Sequence, residues 1–379
     1  MQRLDVTPRP DRLERARGLG FAYADIAGEP YWDESACYRL SAAQVDLLEA
    51  ATAELERLSR EAVEHAVRWN RRAQLGLTDA EWTLAVRSWE AREPSLYGRM
   101  DLVWDGGATP PRLLEYNADT PTALFEAAVV QWEWLQCENP AADQFNMLHE
   151  ALIDTWRAYA TPGGTVHFTC VPSHAEDRGT VDYLRDTALQ AGLNAPFLHV
   201  GEIGWNAAAG EFRNLGEQPI RTLFKLYPWD WLLAEPFGRH VAAAPTHWIE
   251  PAWRMIPAGK GFLALLWQLF PGHPNLLPAF LEPGRTGGRE VAKPFYGREG
   301  ANISAPGIET DGPYAGQPRV WQAWAELPCF AGRYPVLGSW LVAGRPAGLG
   351  IREDATPITR DTSRFVPHFF PAEEAKGQP

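Results

Sequence analysis

The sequence lacks the closely spaced cysteines and histidines of disulfide frames and zinc sites. Its four cysteines form no CxxC pair, and its nine histidines form no HExxH pair. Because such sites depend on these spacings, we expect reduced thiols and no soft metal. GxxxxGK[ST] and GxGxxG are also missing, and GSW at 338–340 lacks the second glycine of a nucleophile elbow. The common signatures of P-loop proteins, dinucleotide-binding proteins and α/β-hydrolases are therefore excluded.

Long apolar runs are missing as well. No stretch approaches the ~20 apolar residues of a membrane-spanning helix, and the first twenty residues contain no apolar core of a secretion signal. We therefore expect a cytoplasmic protein without a membrane partner. The 48 acidic residues exceed the 35 basic ones, and the resulting net charge of −13 disfavours binding to nucleic-acid phosphates.

The composition is otherwise that of a folded protein. Hydrophobic residues make up 45% of the chain and charged residues 22%, which excludes wholesale disorder. Seventeen tryptophans predict a large core and an aromatic-walled cleft. The length of 379 residues favours two or three domains. Oligomeric state does not follow from any of these features.

Local patterns predict a mixed α+β chain. Apolar residues recur at helical intervals after Ser41, a candidate N-cap, and a second helix is predicted over 79–90. Two β-type runs, 98–104 and 112–117, flank a loop rich in turn residues and predict a hairpin. A strand–helix–strand pattern within 165–200 is typical of a parallel α/β unit.

The predicted hairpin carries a set of oxygen-bearing side chains. Glu115 and Asn117 are two residues apart on one arm and so share a face of the strand. Pairing of the two arms would bring Asp101 and Arg99 to the same face. Two carboxylates and an amide oxygen suit Mg²⁺ better than Zn²⁺, and a neighbouring arginine suits phosphoryl transfer. The alternative is a strand edge with ordinary salt bridges.

Two lysines and a glycine-containing loop point to an anion. Lys260 opens a helix predicted over 260–270, and Lys293 lies within the apolar strand VAKPF. A lysine is costly to bury without a partner, so Lys293 either meets an anion or extends to water from an edge strand. The loop 297–300 follows this strand. It is either an ordinary turn or a flexible loop whose backbone N–H groups cover a polyphosphate.

Six segments follow one another along the chain: RMD, LLEYNADTPT, EPAWRMIP, VAKPFYGREGANIS, LGSWLVAGRPAGLGIRED and SRFVPHFF. Taken together and in this order, they resemble the glutathionylspermidine synthase-like family of ATP-grasp ligases. The likeness covers residues 85–370 and is most specific in LLEYNADTPTALFEAAVVQW. It is closest to the short members that lack the Cys/His amidase domain.

The resemblance implies an ATP-grasp fold with an N-terminal helical portion and an α/β substrate-side domain. Four segments are then expected: a helical portion (1–95), the hairpin with the α/β domain (96–245), the ATP-grasp lobes (246–370) and a frayed tail (371–379). The implied chemistry forms an amide: ATP phosphorylates a carboxylate, an amine attacks the acyl phosphate, and ADP and phosphate leave.

The resemblance also implies roles for individual residues. Asp101, Glu115 and Asn117 match magnesium ligands, and Arg99 and Arg352 match arginines that face the transferring phosphoryl group. Thr120 and Thr122 match substrate-contacting serines of well-known members, and Glu176 and Asp177 fall near acidic substrate contacts. The nucleotide contacts are expected from Lys260, Lys293, the loop Arg298, Glu299, Gly300 and Ala301, and the hinge Gln322, Ala323, Trp324 and Ala325.

The expected cofactors are ATP and Mg²⁺. The expected substrates are a small-molecule or peptide carboxylate and an amine. An acidic protein would accept a polyamine as the amine, because the charges are opposite. The sequence identifies neither substrate. Two alternatives keep the ATP site: a kinase of small molecules, and a degenerate ATP-binding module without turnover.

Overall fold

The computed structural model describes residues 1–26, 28–161 and 163–372. A π-type turn, Glu126–Val130, precedes the fifth helix. Within the described ranges the α-helices are α1 (Arg12–Gly18), α2 (Ala42–Arg68), α3 (Arg72–Leu75), α4 (Asp79–Glu90), α5 (Gln131–Glu138), α6 (Leu148–Tyr159), α7 (Ala175–Gln190), α8 (Trp229–Ala234), α9 (Met255–Ala258) and α10 (Gly261–Leu269).

The strands of the same ranges are mostly short. They are β1 (Gln2–Asp5), β2 (Asp25–Ile26), β3 (Glu29–Pro30), β4 (Ala36–Arg39), β5 (Tyr97–Val103), β6 (Arg112–Asn117), β7 (Ala142–Asp143), β8 (His167–Cys170), β9 (Phe197–His199), β10 (Gly204–Asn206), β11 (Glu211–Arg213), β12 (Thr222–Leu226), β13 (His247–Ile249), β14 (Ala279–Phe280), β15 (Glu290–Pro294), β16 (Ser304–Ala305), β17 (Ile308–Glu309), β18 (Arg319–Ala323), β19 (Tyr334–Val342), β20 (Arg345–Asp354), β21 (Arg364–Val366) and β22 (His368–Pro371).

An antiparallel sheet of strand order β21-β20-β19-β5-β6, here called the main sheet, lies at the centre of the molecule. The predicted hairpin, β5–β6, is confirmed, and it joins a second hairpin, β19–β20, edge to edge through β5 and β19. This pairing brings residues that are more than 200 positions apart in the sequence onto adjacent strands.

The long helix α2 covers the main sheet. Its N-terminus is capped as the sequence predicts, since the Ser41 side chain accepts a hydrogen bond from the Gln44 backbone and the Gln44 side chain accepts one in return. Its apolar residues recur on one face, which is buried against β19 and β20. Leu48 and Leu55 of this face are fully buried.

Two further sheets complete the environment of the site. The second sheet is antiparallel, has the order β14-β18-β15-β16-β17 and packs on α10. The parallel sheet has the order β13-β12-β8-β9. It contains the strand–helix–strand unit β8–α7–β9, which confirms that prediction.

The chain ends meet in a small sheet that sequence patterns do not reveal. Strand β22 pairs in parallel with β4 and antiparallel with β7, and β4 pairs with β1. These strands have two to four residues each and pair with distant segments, so they leave little periodic signal. The expected tail 371–379 starts at the last residue of β22, and residues 373–379 lie outside the described residues. The division into 1–95, 96–245 and 246–370 stays a prediction.

In the part of the chain that the structure describes, no helix has the length and apolar character that crossing a membrane requires. The expected cytoplasmic location stays a prediction.

Loss of the α2 cap will destabilise the protein. Ser41→Ala leaves the Gln44 N–H without its side-chain acceptor and will lower the free energy of unfolding by about 1 kcal/mol. Urea unfolding followed by circular dichroism measures this change. The control is Glu49→Ala, an exposed position on the same helix, which will change the free energy by less than about 0.5 kcal/mol. Equal effects of the two substitutions would contradict the role of the cap.

Candidate active site in the central cleft

A cleft of about 570 Å³ lies among the main sheet, the second sheet and the carboxyl ends of the parallel strands. The structure brings all the residues expected at the site to its wall, although they come from distant parts of the chain. They are Arg99, Asp101, Glu115, Asn117, Thr120, Thr122, Glu176, Asp177, Lys260, Lys293, Arg298, Glu299, Gly300, Ala301, Gln322, Ala323, Trp324, Ala325 and Arg352. Their individual roles stay predictions.

The register between β5 and β6 places the oxygen-bearing side chains together. Asp101 lies opposite Glu115, and Arg99 lies opposite Asn117. Directly paired residues of an antiparallel sheet project to the same face, so all four side chains reach the cleft. The condition set by the sequence, a paired hairpin with Asp101 on the shared face, is met.

Asp101 bridges two arginines. Arg99 Nε donates to Asp101 Oδ1 at 2.7 Å, and Arg352 Nη2 donates to Asp101 Oδ2 at 2.8 Å. Arg352 lies on β20, which is separated from β5 by β19 in the main sheet. Burial alone would lower the pKa of Arg99, but the nearby Asp101 carboxylate raises this pKa above its usual value. The Arg99 guanidinium therefore keeps its positive charge, and the two arginines share one carboxylate.

A glycine on β19 makes room for this arrangement. Gly338 pairs with Asp101, and a Cβ atom added to it would lie 2.9 Å from Cδ of Arg99. A side chain at this position would therefore displace the arginine stem. The Arg99 guanidinium also lies 5.6 Å from the ring centroid of the buried Trp340, at cation–π distance.

Glu115 is paired with Lys260. Lys260 Nζ lies 2.9 Å from Glu115 Oε2 and donates to the carbonyl of Gly297 at 2.7 Å. Burial would raise the pKa of Glu115, but the charges of Lys260 and Lys293 outweigh burial and lower this pKa far below its usual value. Glu115 therefore remains a carboxylate. Asn117 Nδ2 lies 3.4 Å from Glu115 Oε1.

Lys293 lies on β15, an interior strand of the second sheet, and is 9% exposed, so the interpretation as an edge residue that extends to water is wrong. Its Nζ donates to Gln322 Oε1 at 2.7 Å and to the Leu114 carbonyl at 3.0 Å, both neutral acceptors. Burial lowers the pKa of Lys293 to about 8, although Glu115 acts in the opposite direction. An ammonium group in this position is stabilised by an anion.

This part of the cleft, the cationic end, has an excess of positive charge. Among the cleft-lining residues that the structure describes, its charged groups are Arg99, Arg352, Lys260 and Lys293 with Asp101 and Glu115. In residues 1–26, 28–161 and 163–372, no group of three His, Cys, Asp or Glu side chains is arranged to hold a metal. A magnesium ion here would need additional oxygens from a bound phosphate, which is its usual environment in phosphoryl-transfer enzymes.

The loop 297–301 closes one side of the cleft. Arg298 Nη2 donates to Asp230 Oδ1 at 2.7 Å, and its guanidinium lies 5.2 Å from the ring centroid of Trp231. Gly300 has a φ of +70°, and a Cβ added there would lie 2.7 Å from the Thr359 carbonyl oxygen. Only glycine fits this conformation and contact without strain.

Four other cleft-lining carboxylates, here called the acidic end, are those of Glu176, Asp177, Glu299 and Asp361. None of these four carboxylates forms a salt bridge with another described residue. Burial and then the charge of Glu176 raise the pKa of Asp177 to about 7. The same two causes raise the pKa of the fully buried Glu126, which accepts a hydrogen bond from Tyr31, to about 8. Negative charge is costly here, so this end favours a cationic ligand.

The segment 322–325 joins the second sheet to the cleft. Gln322 is buried, and its side chain links the Lys293 ammonium to the backbone of β6 through the Leu113 carbonyl, 3.0 Å from Nε2. Trp324 N donates to the Arg289 carbonyl at 2.9 Å. All four residues of this segment line the cleft, and their contact with the adenine edge, which the resemblance implies, stays a prediction.

Three charged residues near the cleft are not among the site residues predicted from the sequence: Asp119, Lys225 and Asp230. Asp119 stands inside LLEYNADTPT, between two predicted site residues. Lys225 lies within the apolar strand TLFKL, the same signal that identified Lys293. No local sequence pattern indicates Asp230 as a site residue, because its partner Arg298 is 68 positions away.

Comparison with known proteins shows the family of the chain. The family model described as glutathionylspermidine synthase preATP-grasp matches residues 3–371. A putative acid–amine ligase of Haemophilus influenzae is 39% identical over 98% of this chain and 100% of its own length. A trypanothione synthetase of Crithidia fasciculata is 25% identical over 75% of this chain and 49% of its own.

A bifunctional glutathionylspermidine synthetase/amidase of Escherichia coli is 26% identical over 76% of this chain and 51% of its own. The chain thus spans about half the length of the last two relatives. A glutathione synthetase-like effector from Globodera pallida has a TM-score of 0.55 at 9% identity over 88% of both chains, which supports the expected fold. The three curated relatives are named ligases or synthetases, so the expected ligase class is confirmed. The chain belongs to the glutathionylspermidine synthase preATP-grasp family.

Proposed function

We propose that this chain is an ATP- and Mg²⁺-dependent ligase that joins a carboxylate to an amine through an acyl phosphate. The observation that carries the proposal is that one cleft is lined both by the four cations of the cationic end and by the four carboxylates of the acidic end, which form no salt bridge within the described ranges. The cationic end suits a triphosphate, whose charge develops further during phosphoryl transfer. The acidic end suits a protonated amine.

The cationic end supplies the phosphate contacts. Lys260 and Lys293 lie on two different elements and would hold the β- and γ-phosphates as compact point charges. Arg99 and Arg352, joined through Asp101, would face the transferring phosphoryl group from two sides. Because both guanidiniums are fixed in the main sheet before ATP binds, they need little reorganisation in the transition state.

The three oxygen-bearing side chains fit a magnesium ion. Asp101, Glu115 and Asn117 would hold it together with phosphate oxygens, and Lys260 would then leave Glu115 for the phosphates. Bound Mg²⁺ would neutralise part of the phosphate charge. The loop Arg298–Ala301 would cover the triphosphate, and the backbone of 322–325 would meet the adenine edge.

The remaining wall of the cleft supports two substrate positions. Thr120 and Thr122 line the cleft, Thr122 with its carbonyl bound by Arg99, and both would contact the acid that receives the phosphoryl group. Glu176 and Asp177 would bind the amine as a cation. The name of the glutathionylspermidine synthetase relative makes glutathione and spermidine the first acid and amine to try.

A phosphate-release screen tests the proposal. Purified protein, Mg²⁺ and ATP are combined with glutathione, short peptides or amino acids as acids, and with polyamines or other amines. We expect ADP and free phosphate only when both an acid and an amine are present. A stable phosphorylated product without free phosphate would indicate a kinase instead. Binding of Mg²⁺–ATP without turnover over the whole panel would indicate a binding module.

Removal of the Glu115 charge will abolish turnover. Glu115→Gln keeps the shape of the side chain but removes a magnesium ligand charge, so ADP release will fall at least 100-fold. Steady-state kinetics measures this, and thermal unfolding checks that the variant is folded. Glu49→Gln, exposed and remote from the cleft, serves as the control. Near-normal turnover of Glu115→Gln would overturn the proposed metal role.

Binding of Mg²⁺–ATP will weaken as pH rises through about 8. The pKa of Lys293 is lowered to about 8 in the free protein, so above that pH the free lysine is neutral and attracts phosphate less. Titration calorimetry between pH 7 and 9 measures the affinity. Lys293→Met will bind more weakly and with a flatter pH dependence. An unchanged slope in this variant would contradict the assignment.

Binding of the amine will strengthen as pH rises through about 7. Below that pH, Asp177 is protonated and neutral; above it, the carboxylate attracts the cation. The KM for the amine, measured from pH 6 to 8, will therefore fall, and Asp177→Asn will raise it and flatten the profile. Asp186→Asn, exposed on the same helix, is the control. Identical profiles in Asp177→Asn and the unmodified protein would exclude Asp177 from the amine site.

A further inference from the structure

The loop 118–122, between β6 and the following helix, is held by three side chains, two from β5 and one from Arg254 just before α9. These donors bind three of its backbone carbonyl oxygens. The bonds are Arg254 Nε to Ala118 O at 2.7 Å, Tyr97 Oη to Pro121 O at 3.1 Å, and Arg99 Nη1 to Thr122 O at 2.6 Å.

A buried ion pair fixes the middle of the loop. Lys225 of β12 is fully buried, and its Nζ lies 2.6 Å from Asp119 Oδ1. Asp119 Oδ2 accepts the backbone N–H of Trp229 at 2.8 Å, and the ammonium lies 4.5 Å from the ring centroid of Trp229. Both carboxylate oxygens of Asp119 are therefore engaged by the parallel sheet and the chain that follows it.

A buried ion pair of this kind contributes little to the free energy of unfolding. Desolvation of two charges offsets most of their attraction, and an apolar pair of similar volume is often as stable. What the pair provides is a defined position, because Asp119 must meet Lys225 and Trp229 together. The backbone directly after the loop is strained, since Ala123 has a φ of +65°. Such a conformation persists only where the surroundings fix it.

We propose that Lys225 and Asp119 are positioning residues that fix the loop 118–122, so that Thr120 and Thr122 face the acid substrate next to Arg99. The inference rests on the proposed ligase function. Lys225 does not line the cleft, and the oxygens of Asp119 are engaged elsewhere, so neither residue is a catalytic group. Arg99 contributes to both the loop and Asp101, so displacement of the loop also disturbs the phosphoryl-transfer end.

The test compares Lys225→Met and Asp119→Asn with a matched control. Arg9→Met breaks another buried ion pair, in which Arg9 Nη2 lies 2.6 Å from Glu34 Oε1, and neither residue of that pair lines the cleft. We expect Lys225→Met to raise the KM for the acid at least tenfold while the affinity for Mg²⁺–ATP changes less than threefold. Arg9→Met, assayed below its own unfolding temperature, will leave both constants unchanged.

Deuterium uptake by peptides covering 115–125 is the second readout, and it requires no substrate. We expect faster uptake there in Lys225→Met and Asp119→Asn than in Arg9→Met or the unmodified protein. This readout decides the matter even if no ligase activity is found, so failure of the proposed function is distinguishable from failure of this inference. If Lys225→Met does not fold, Asp119→Asn decides, because its amide oxygen still accepts the Trp229 N–H.

Unchanged uptake over 115–125 would overturn the inference. So would a KM for the acid equal to that of the unmodified protein, or equal changes in the Arg9→Met control.

Discussion

The excess of positive charge at one end of the cleft is the constraint on which the rest of the site depends. Among the described residues, Arg99 and Arg352 share the single carboxylate of Asp101, and Lys260 and Lys293 lie near the single carboxylate of Glu115. Burying a cation without an equal opposite charge is unfavourable in free energy, and the lowered pKa of Lys293 is a consequence of this burial. The arrangement becomes favourable when a polyanion binds, as an enzyme acting on ATP requires.

Much of the surrounding structure holds these cations and the adjacent loop in position. Gly338 gives Arg99 its space, Gln322 fixes Lys293, and Arg254 binds the chain at Ala118. Such a network limits the movement needed during the reaction, which is how electrostatic stabilisation becomes effective. The loop 297–301 is held as well, because Arg298 pairs with Asp230, Lys260 donates to the Gly297 carbonyl and Thr310 donates to the Gly300 carbonyl.

Several site residues could be predicted because their signals are local. The two-residue spacing of Glu115 and Asn117 places them on one face of any strand, and a lysine inside an apolar strand marks Lys293. The same signal marks Lys225, which was overlooked. Asp230 could not be found in this way, because only the fold brings it to Arg298. The strands β1 and β22 could not be predicted from the sequence either, because segments of two to four residues carry no periodicity.

The sequence by itself determined the local elements and the family. Periodicity and capping at Ser41 define α2, turn residues define the hairpins, and the LLEYNADTPT segment carries the resemblance. Tertiary structure alone decided which of these elements meet. Pairing of β5 with β19 brings Arg352 to Asp101 across 251 positions, and packing of β15 beside β6 brings Lys293 to the Leu114 carbonyl. Long-range contacts of this kind depend on the packing of the whole chain, which no short sequence window contains.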